Sequence, residues 1–452
     1  EVEVHVARNR NVIRLVLVIA VLVVGCGYGM FAERTQRFPY ALARTVLSTL
    51  RGDARDGHDA GVPATGLWNR SRSRPVGGEL TEEQKEEMSR LESIGYLTGS
   101  VPVGERSGVT VHDEGRVASG LNLLVSGHRP WAALMDMDGS VVHEWQLDFR
   151  TAWPGREVSP EITGDEYWRR VLLLDDGGIV AIYEGLGIVR LDRDSKLIWA
   201  REGGYHHDLE RTLDGGFCVL DREARLVPRI SKRHPVLEDF VAYLDANGNV
   251  ILRFSLLEAF EQSSFASMLI GMDWGGDIFH TNTLELLDGR LAAKSPAFSG
   301  GNLLISVLML DTVAVVDPNR ETVVWALTGM WRQQHQPTIL SNGRMLIFDN
   351  KAGTEVSEVM ELDPFSQTVA WSYRGTPERP FYSETCGSNQ RLPNGNTLIT
   401  ESDNGRAFEV TPEGTVVWEY INPNHAGPDG EYIATLFEVV RLPSEKRPDW
   451  ME

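Results

Sequence analysis

Apolar and polar residues alternate along most of the chain from about residue 108, and the alternation recurs in a repeated unit. Each unit is a strand, a turn that usually contains Asp, and a second strand that ends in Trp or an equivalent residue. Six copies occur, at 131–145, 187–200, 240–254, 312–326, 359–373 and 407–420. Period-two alternation around a tight turn predicts a β-hairpin with one buried face.

A second hairpin pattern lies between these copies, at 171–183, 209–221, 284–294, 337–349 and 389–401. Two hairpins give four strands in about 50 residues, and an insertion at 255–279 lengthens the third copy. Four antiparallel strands per repeat are typical of a propeller blade, and a closed ring of blades leaves no exposed sheet edge. The pattern therefore predicts an all-β fold, a six-bladed β-propeller over 108–452. A β-solenoid or a pair of sandwiches would also repeat strands, but regular Trp at one strand end disfavours both.

The N-terminal part follows a different pattern. Leu15–Ala32 is a run of eighteen uncharged residues, long enough to cross about 30 Å of hydrocarbon as one helix. We expect residues 1–32 to anchor the chain in the cytoplasmic (inner) membrane by a single pass, with the propeller on the periplasmic side. Arginines flank the run on both sides, so the positive-inside rule favours neither orientation. A cleaved signal peptide and a lipoprotein signal with an acylated Cys26 are the rival interpretations.

Residues 33–107 are predicted to form a tether with short helices, because Arg, Gly, Ser and Pro dominate up to about residue 80. An amphipathic helix is expected from Thr81 to about Gly95, with Thr81 as N-cap and Gln84 at the capping-box position. We expect this helix to pack against the propeller. Its apolar end carries Leu91, Ile94 and Tyr96.

The formal net charge of −20 argues against a nucleic-acid partner, since phosphate binding needs a basic face. The three cysteines, Cys26, Cys218 and Cys386, are too far apart for a metal knuckle and predict no disulfide framework. Cys218 and Cys386 would form a disulfide only if two blades brought them together.

Histidines carry the strongest chemical signal. Three successive repeats have His just before the predicted innermost strand: His206 and His207 in HHD, His280 in FHTN, and His335 in QQHQ. The chain has only 11 His, and equivalent positions on a ring of blades converge on its axis. We therefore expect these imidazoles to share one site.

The same strings resemble those of the bacterial arylsulfotransferases, periplasmic enzymes that do not use a nucleotide sulfate donor. The resemblance covers roughly residues 108–440 and depends on the order and spacing of several strings. These are HHD (206–208), DW (273–274) with FHTN (279–282), QQHQP (333–337) with NGRMLIFDN (342–350), QRLPNGNTLIT (390–400) and GRAFEVTPEGTVVWEYINP (405–423).

The resemblance implies a six-bladed propeller that moves a sulfuryl group between small phenolic compounds in a ping-pong reaction without cofactor or metal. His335 corresponds to the histidine that attacks sulfur. His280, and His207 with His206 as its alternate, would bind sulfate oxygens or protonate the leaving phenolate. Amide side chains would supply neutral N–H donors to the sulfate, and we expect Asp208 to hold a histidine tautomer. The amide candidates are Asn282, Asn350 and Gln390.

One position departs from the family pattern. Where the family carries an Arg that contacts the sulfate, this chain has Leu308. Loss of one charge-assisted donor to an oxyanion costs about 3 kcal/mol of transition-state stabilisation, or about 100-fold in rate. Arg332 or Lys294 would have to replace it. Leu308 thus leaves open a second hypothesis, a catalytically inactive propeller that acts as a structural or binding subunit of a membrane protein complex.

A metal or quinone-cofactor propeller is a third hypothesis. Three histidines are enough to hold a divalent ion. The sequence, however, places no carboxylate or Cys beside them at consistent spacing, apart from Asp208.

Overall fold

The computed structural model describes residues 80–92, 96, 98–158, 163–270, 272, 275–444 and 450. The predicted span Leu15–Ala32, Cys26 and the first part of the expected tether lie outside these residues. Among the helices of the described residues, none is both long and apolar enough to cross a bilayer.

Strands make up most of the described chain. The helices are α1 (Glu82–Glu92), α2 (Phe149–Ala152) and α3 (Leu256–Glu261), and 3₁₀ turns span Ala266–Leu269, Pro296–Phe298 and Leu308–Leu310. The first strands are β1 (Gly99–Pro102), β2 (Gly108–His112), β3 (Gly120–Ser126), β4 (Trp131–Met135) and β5 (Val141–Gln146). They are followed by β6 (Arg170–Leu173), β7 (Ile179–Tyr183), β8 (Gly187–Leu191) and β9 (Leu197–Glu202).

The middle of the chain continues in the same way. Its strands are β10 (Tyr205–Arg211), β11 (Phe217–Arg225), β12 (Val236–Leu244), β13 (Val250–Ser255), β14 (Gly276–Asp277), β15 (Thr281–Leu286), β16 (Leu303–Val307), β17 (Thr312–Asp317) and β18 (Thr322–Thr328). Then come β19 (His335–Ile339), β20 (Met345–Asp349), β21 (Glu358–Leu362), β22 (Val369–Tyr373), β23 (Gly375–Thr376) and β24 (Arg379–Pro380). The last are β25 (Ser388–Arg391), β26 (Thr397–Glu401), β27 (Arg406–Val410), β28 (Val416–Ile421), β29 (His425–Ala426), β30 (Tyr432–Ala434) and β31 (Leu436–Pro443).

The larger sheets of the described residues are antiparallel meanders of four strands. They are sheet 1 (β31-β3-β4-β5), sheet 2 (β6-β7-β8-β9), sheet 3 (β10-β11-β12-β13), sheet 4 (β15-β16-β17-β18), sheet 5 (β19-β20-β21-β22) and sheet 6 (β25-β26-β27-β28). Sheet 1 takes its first strand from the C-terminal β31, and β2 adds to the outer edge of sheet 6. Short pairings β1-β30-β29 and β23-β24 and a parallel contact of β14 with β12 complete the pattern. The predicted all-β, propeller-like architecture is confirmed.

One predicted hairpin was wrong. The pattern at 284–294 implied a return strand directly after the turn at Asp288, but β15 pairs with β16 at Leu303–Val307. The intervening segment turns instead, and the Ser295 hydroxyl accepts a hydrogen bond from the Ala297 N–H at the start of a 3₁₀ turn. Ala and Lys residues have low strand propensity and a Pro follows them, whereas LLISV is rich in β-formers.

The Trp residues of the hairpin repeat join neighbouring sheets. Four of these indole N–H groups donate to a carbonyl in a turn of the next sheet: Trp145 to Gly177, Trp199 to Ala246, Trp371 to Pro412 and Trp418 to Met137. A largely buried indole needs an acceptor for its one N–H, and the turn supplies it. Apolar clusters fill the space between the sheets, as around Trp145, Trp168 and Tyr183.

The first strands of the sheets are neighbours. β6 contacts β10, β10 contacts β15, β15 contacts β19, β19 contacts β25, and β25 contacts β31. Polar side chains tie them together: the Asp208 carboxylate accepts from the Leu284 N–H at 2.9 Å, and the Arg170 guanidinium pairs with Glu438 of β31. The starts of these strands are thereby held around one centre.

The predicted capping box of α1 is confirmed. The Gln84 N–H donates to the Thr81 hydroxyl at 3.2 Å, and the Thr81 N–H donates to the Gln84 side-chain oxygen at 3.0 Å. Leu91 packs on Ala224 and Leu237 of sheet 3. The helix therefore docks on the propeller just before Tyr96.

Candidate functional site

The three histidine segments share one local geometry. β10, β15 and β19 each have a break in strand register at the histidine end, between His206 and Leu209, Thr281 and Thr283, and His335 and Thr338. Bulges at such positions re-aim side chains. His207 and His280 also have positive φ angles of 54° and 48°, a conformation that costs energy in residues other than Gly. A register break near the histidine is thus common to the three strands, and positive φ is shared by His207 and His280.

Three of the imidazoles lie side by side. The ring centroids of His206 and His207 are 4.9 Å apart, and those of His207 and His280 are also 4.9 Å apart. Tyr96 reaches into this group: its hydroxyl lies 2.9 Å from Nε2 of His280 and is hydrogen-bonded to Nε2 of His207. A tyrosine predicted to serve as the apolar end of a helix instead joins two of the candidate residues.

His335 presents an unengaged ring nitrogen. Nδ1 lies 2.8 Å from the Asn350 side-chain oxygen and 3.1 Å from the Gln333 carbonyl oxygen, so Nδ1 carries the proton and donates. Nε2 is buried and has no hydrogen-bond partner among the described residues. Burial lowers the pKa of His335 to about 3, against the Asn350 hydrogen bond and with help from the charges of Arg169 and His280. A neutral imidazole with a free lone pair on Nε2 results.

His280 has the opposite character. Its Nδ1 lies 2.6 Å from the Asp277 carboxylate, which also accepts the His280 main-chain N–H at 2.9 Å. Burial opposes the charged form, but the Asp277 carboxylate, together with Asp239, outweighs it and raises the pKa of His280. The imidazolium form of His280 is therefore favoured, and its Nε2–H lies 2.9 Å from the Tyr96 hydroxyl oxygen. The spacing of Asp277 and His280, three residues apart, was the sequence signal for this pair.

His206 and His207 are buried and neutral. Burial lowers the pKa of both histidines well below the ordinary value. The positive charges of Arg222 and His280 lower the pKa of each histidine further. Their Nδ1 atoms are 2.7 Å apart, so one ring donates to the other. Glu184 lies 3.6 Å from Nδ1 of His207. Since acidic Glu184 is nearest to His207, the donor of this pair is the His207 Nδ1–H.

Glu184, His206 and His207 also form a set of possible metal ligands, with one ligand atom of each within 4.8 Å of the others. The sequence did not reveal this carboxylate, which comes from the end of β7 in another repeat. Two features oppose a metal here: the two Nδ1 atoms are already hydrogen-bonded to each other, and the Arg222 guanidinium lies 3.1 Å from the Glu184 carboxylate. An ion would have to displace both contacts.

Arg169 supplies a cation that sequence reasoning missed. It directly precedes β6, is 5 % exposed, and its guanidinium lies 5.0 Å from the centroid of the Tyr96 ring. No acceptor within the described residues reaches its Nε. A buried guanidinium keeps its charge and has donors to satisfy, so this side chain is suited to an anionic group. The only sequence signal was its position directly before a first strand, the same position that His280 holds before β15.

The candidates for replacing the family's Arg lie elsewhere. Leu308 is next to the site, since its N–H donates to the His280 carbonyl at 3.4 Å. The Arg332 side chain is exposed, and its main-chain N–H donates to Asp349. Lys294 is at the surface, 4.0 Å from Asp363. Neither lies at the site; the buried guanidinium beside Tyr96 is that of Arg169, which directly precedes sheet 2.

The three amides expected to bind sulfate brace the backbone instead. Asn282 donates to the Gln334 carbonyl at 2.9 Å, and Gln390 donates to the Arg441 carbonyl at 3.0 Å. Asn350 uses its nitrogen on the Ser383 and Cys386 carbonyls while its oxygen holds His335. These residues position the first strands and one histidine; the expected direct donors are therefore corrected to supporting groups.

Two further expectations changed. Asp208 contacts no imidazole of the described residues: its carboxylate pairs with Arg170 at 2.8 Å and accepts main-chain N–H groups. The carboxylates that face the site histidines are Asp277 (His280), Glu184 (His207) and Asp239, 3.7 Å from Nε2 of His206. Cys218 and Cys386 are both buried free thiols.

Comparison with known proteins identifies one family. The sequence profile described as Arylsulfotransferase (ASST) matches residues 170–423. A search of curated proteins found no match. Solved structures similar to this chain include a protein of unknown function from Bacteroides caccae, with TM-score 0.44 and 16 % identity over 67 % of this chain and 93 % of that one. A streptogramin B lyase has TM-score 0.41 and 12 % identity over 77 % of this chain and 96 % of that one. The profile match spans more than half of the 452 residues, and on that ground the chain belongs to the arylsulfotransferase (ASST) family.

Proposed function

We propose that this chain is an enzyme that transfers a sulfuryl group between phenolic compounds, with Nε2 of His335 as the nucleophile. The observation that carries the proposal is the state of this imidazole. It is buried and neutral, its proton is held on Nδ1 by two oxygen acceptors, and its Nε2 lone pair is unengaged. Nucleophilic catalysis needs this combination near neutral pH.

The first half-reaction would use two cations. The Nε2 lone pair attacks the sulfur of an aryl sulfate, the bond from sulfur to the phenolic oxygen breaks, and the His280 Nε2–H gives its proton to the leaving phenolate. Arg169 would donate to the sulfate oxygens. The positive charge that develops on sulfated His335 is stabilised through its Nδ1–H by the oxygens of Asn350 and Gln333.

The second half-reaction would reverse these roles. An acceptor phenol loses its proton to the imidazole of His207 or to His280, now neutral, and its oxygen attacks sulfur. The bond from sulfur to Nε2 breaks, and His335 recovers its lone pair. All groups needed are side chains of this protein, and the proposal involves no cofactor.

Leu308 is the observation that favours the second candidate, an inactive propeller that serves as a subunit of a membrane protein complex. Arg169 weighs against it. A buried guanidinium whose Nε–H has no acceptor among the described residues would be costly in a purely structural protein, whereas it matches an enzyme that binds sulfate esters. We therefore favour the enzyme.

The test is release of phenol from a chromogenic aryl sulfate in the presence of a second phenol. The wild-type chain should release colour and produce the new aryl sulfate, and His335→Ala should abolish both. His425→Ala, which removes an exposed imidazole of β29, is the matched control and should retain activity. If the wild-type chain releases no phenol with any acceptor, the enzyme is ruled out and the search moves to partners that comigrate after mild detergent extraction.

We also propose the finer features expected from sequence. The six sheets are blades of one closed propeller, supported by the successive contacts of their first strands and by the pairing of Arg170 with Glu438. The uncharged run Leu15–Ala32 anchors it to the inner membrane with the propeller in the periplasm. Protease added to spheroplasts should digest the propeller; protection would place it on the cytoplasmic side.

A further inference from the structure

Tyr96 is a phenol that already lies at the candidate site. Its hydroxyl contacts the two imidazoles that the proposed reaction uses for proton transfer, Nε2 of His280 at 2.9 Å and Nε2 of His207. The imidazolium of His280 can only donate from Nε2. His207, whose Nδ1–H is used on His206, can only accept there. The Tyr96 oxygen therefore accepts from His280 and donates its proton to His207.

The ring of Tyr96 also has a cationic and an aromatic neighbour. The Arg169 guanidinium lies 5.0 Å from its centroid, and Phe437 packs edge-on with centroids 6.1 Å apart. The main-chain N–H of Tyr96 donates to the Tyr167 hydroxyl at 3.0 Å, which holds the residue in position. Tyr96 comes from outside the six sheets, so this contact is not a product of strand pairing.

A structural tyrosine would not need this arrangement. One acceptor satisfies a phenolic hydroxyl, yet Tyr96 engages two histidines whose backbones both have positive φ. The same residue has the Arg169 guanidinium over its ring, with an Nε–H that no acceptor of the described residues reaches, and the oxygens of an added sulfate would find a cation there. The neighbours of Tyr96 are those that a phenol needs in order to gain or lose a sulfuryl group.

From these contacts we infer that Tyr96 is an internal acceptor, which takes the sulfuryl group from Nε2 of His335 and becomes a tyrosine O-sulfate. This inference depends on the proposed function. The bond from sulfur to Nε2 breaks, a bond from sulfur to the Tyr96 oxygen forms, and the phenolic proton passes to Nε2 of His207. The donor loads His335 before Tyr96 acts as acceptor, and the Tyr96 side chain is half-buried. The product is itself an aryl sulfate, so the step is reversible.

The experiment exposes the full chain to a chromogenic aryl sulfate without any free phenol acceptor. Peptide mass spectrometry should show one added SO₃ group on the peptide with Tyr96, and no addition in Tyr96→Phe or His335→Ala chains. Tyr382 and Tyr432 lie on the same chain and are the internal controls, expected to stay unmodified. In a mixture of Tyr96→Phe with His335→Ala, the intact Tyr96 should also stay unmodified, because the transfer is within one chain.

Several results would overturn the inference. If the wild-type chain turns over donor with a free phenol while Tyr96 remains unmodified, the internal acceptor is refuted and the enzyme stands. Equal modification of Tyr382 and Tyr432, or modification of Tyr96 in His335→Ala, would mean non-specific chemistry. If no phenol is released from the donor by either the wild-type or the Tyr96→Phe chain, the proposed function and the inference fail together.

Discussion

The charge state of His280 depends on one neighbour, Asp277. The carboxylate lies 2.6 Å from Nδ1 of His280, and Asp277→Asn would keep the shape and an oxygen acceptor while removing the charge. Without that charge the effect of burial prevails, so the pKa of His280 should fall below its ordinary value rather than lie above it. His280 would then be neutral at pH 7 and unable to protonate a leaving phenolate.

The expected size follows from the charge separation. Two unit charges about 4 Å apart interact by about 4 kcal/mol at the effective dielectric constant of protein sites, and one pKa unit corresponds to about 1.4 kcal/mol. The Asp239 carboxylate remains and offsets part of the loss. We therefore expect the pKa of His280 to fall by about 1 to 3 units.

The assay is an NMR titration of histidine Cε1–H signals, which reports the pKa whether or not the chain is active. In the pH dependence of kcat/KM for aryl sulfate cleavage, the alkaline limb should move to lower pH by the same amount. Asp138→Asn is the matched control: Asp138 is 3.0 Å from Nδ1 of His112 but on the surface, so His280 should not respond. A shift of less than about half a unit in Asp277→Asn would refute the role of this carboxylate.

Three further predictions follow. Arg169→Lys keeps the charge but loses the planar set of guanidinium donors, so kcat/KM for aryl sulfate should fall about 100-fold. Arg379→Lys, at the surface, is the control and should not change kcat/KM. If Arg169→Lys has the same kcat/KM as wild type, Arg169 does not bind the sulfate. Folding lowers the pKa of His335 to about 3. The neutral His335 therefore stabilises the folded chain fully above the pKa of histidine in the unfolded chain, and this stabilisation is lost as the pH falls from that pKa to the folded pKa. The free energy of unfolding should therefore drop by about 1.4 kcal/mol more in wild type than in His335→Gln between pH 7.5 and 5.5, measured by urea denaturation, and identical slopes would contradict the neutral state. Thr81→Ala removes the cap that Gln84 uses, so hydrogen exchange in α1 should quicken by the equivalent of about 1 kcal/mol; unchanged exchange would mean that tertiary packing alone holds the helix.

Local patterns predicted the strands well because a hairpin depends on neighbouring residues. Alternation around each turn indicated the last two strands of every sheet, and the capping box located the start of α1. The failure at 284–294 has the same origin: a turn signal at Asp288 says that the chain reverses, but not how far it travels before it pairs. The three amide side chains were wrongly predicted to donate to sulfate, because the sequence does not show that a main-chain carbonyl already accepts from them. For Asn282 this acceptor is the Gln334 carbonyl.

The amino-acid sequence by itself determined the repeating hairpins, the equivalence of His207, His280 and His335, and membership of the family, since these depend on order and spacing along the chain. Only the tertiary structure decided which groups meet at the centre. Arg169 and Tyr96 come from other parts of the chain, and Tyr96 is 184 positions from the His280 that it contacts. The separation of two residues along the chain does not show which sheets pack against each other. The charges and proton positions at this site therefore follow from the packing of the sheets.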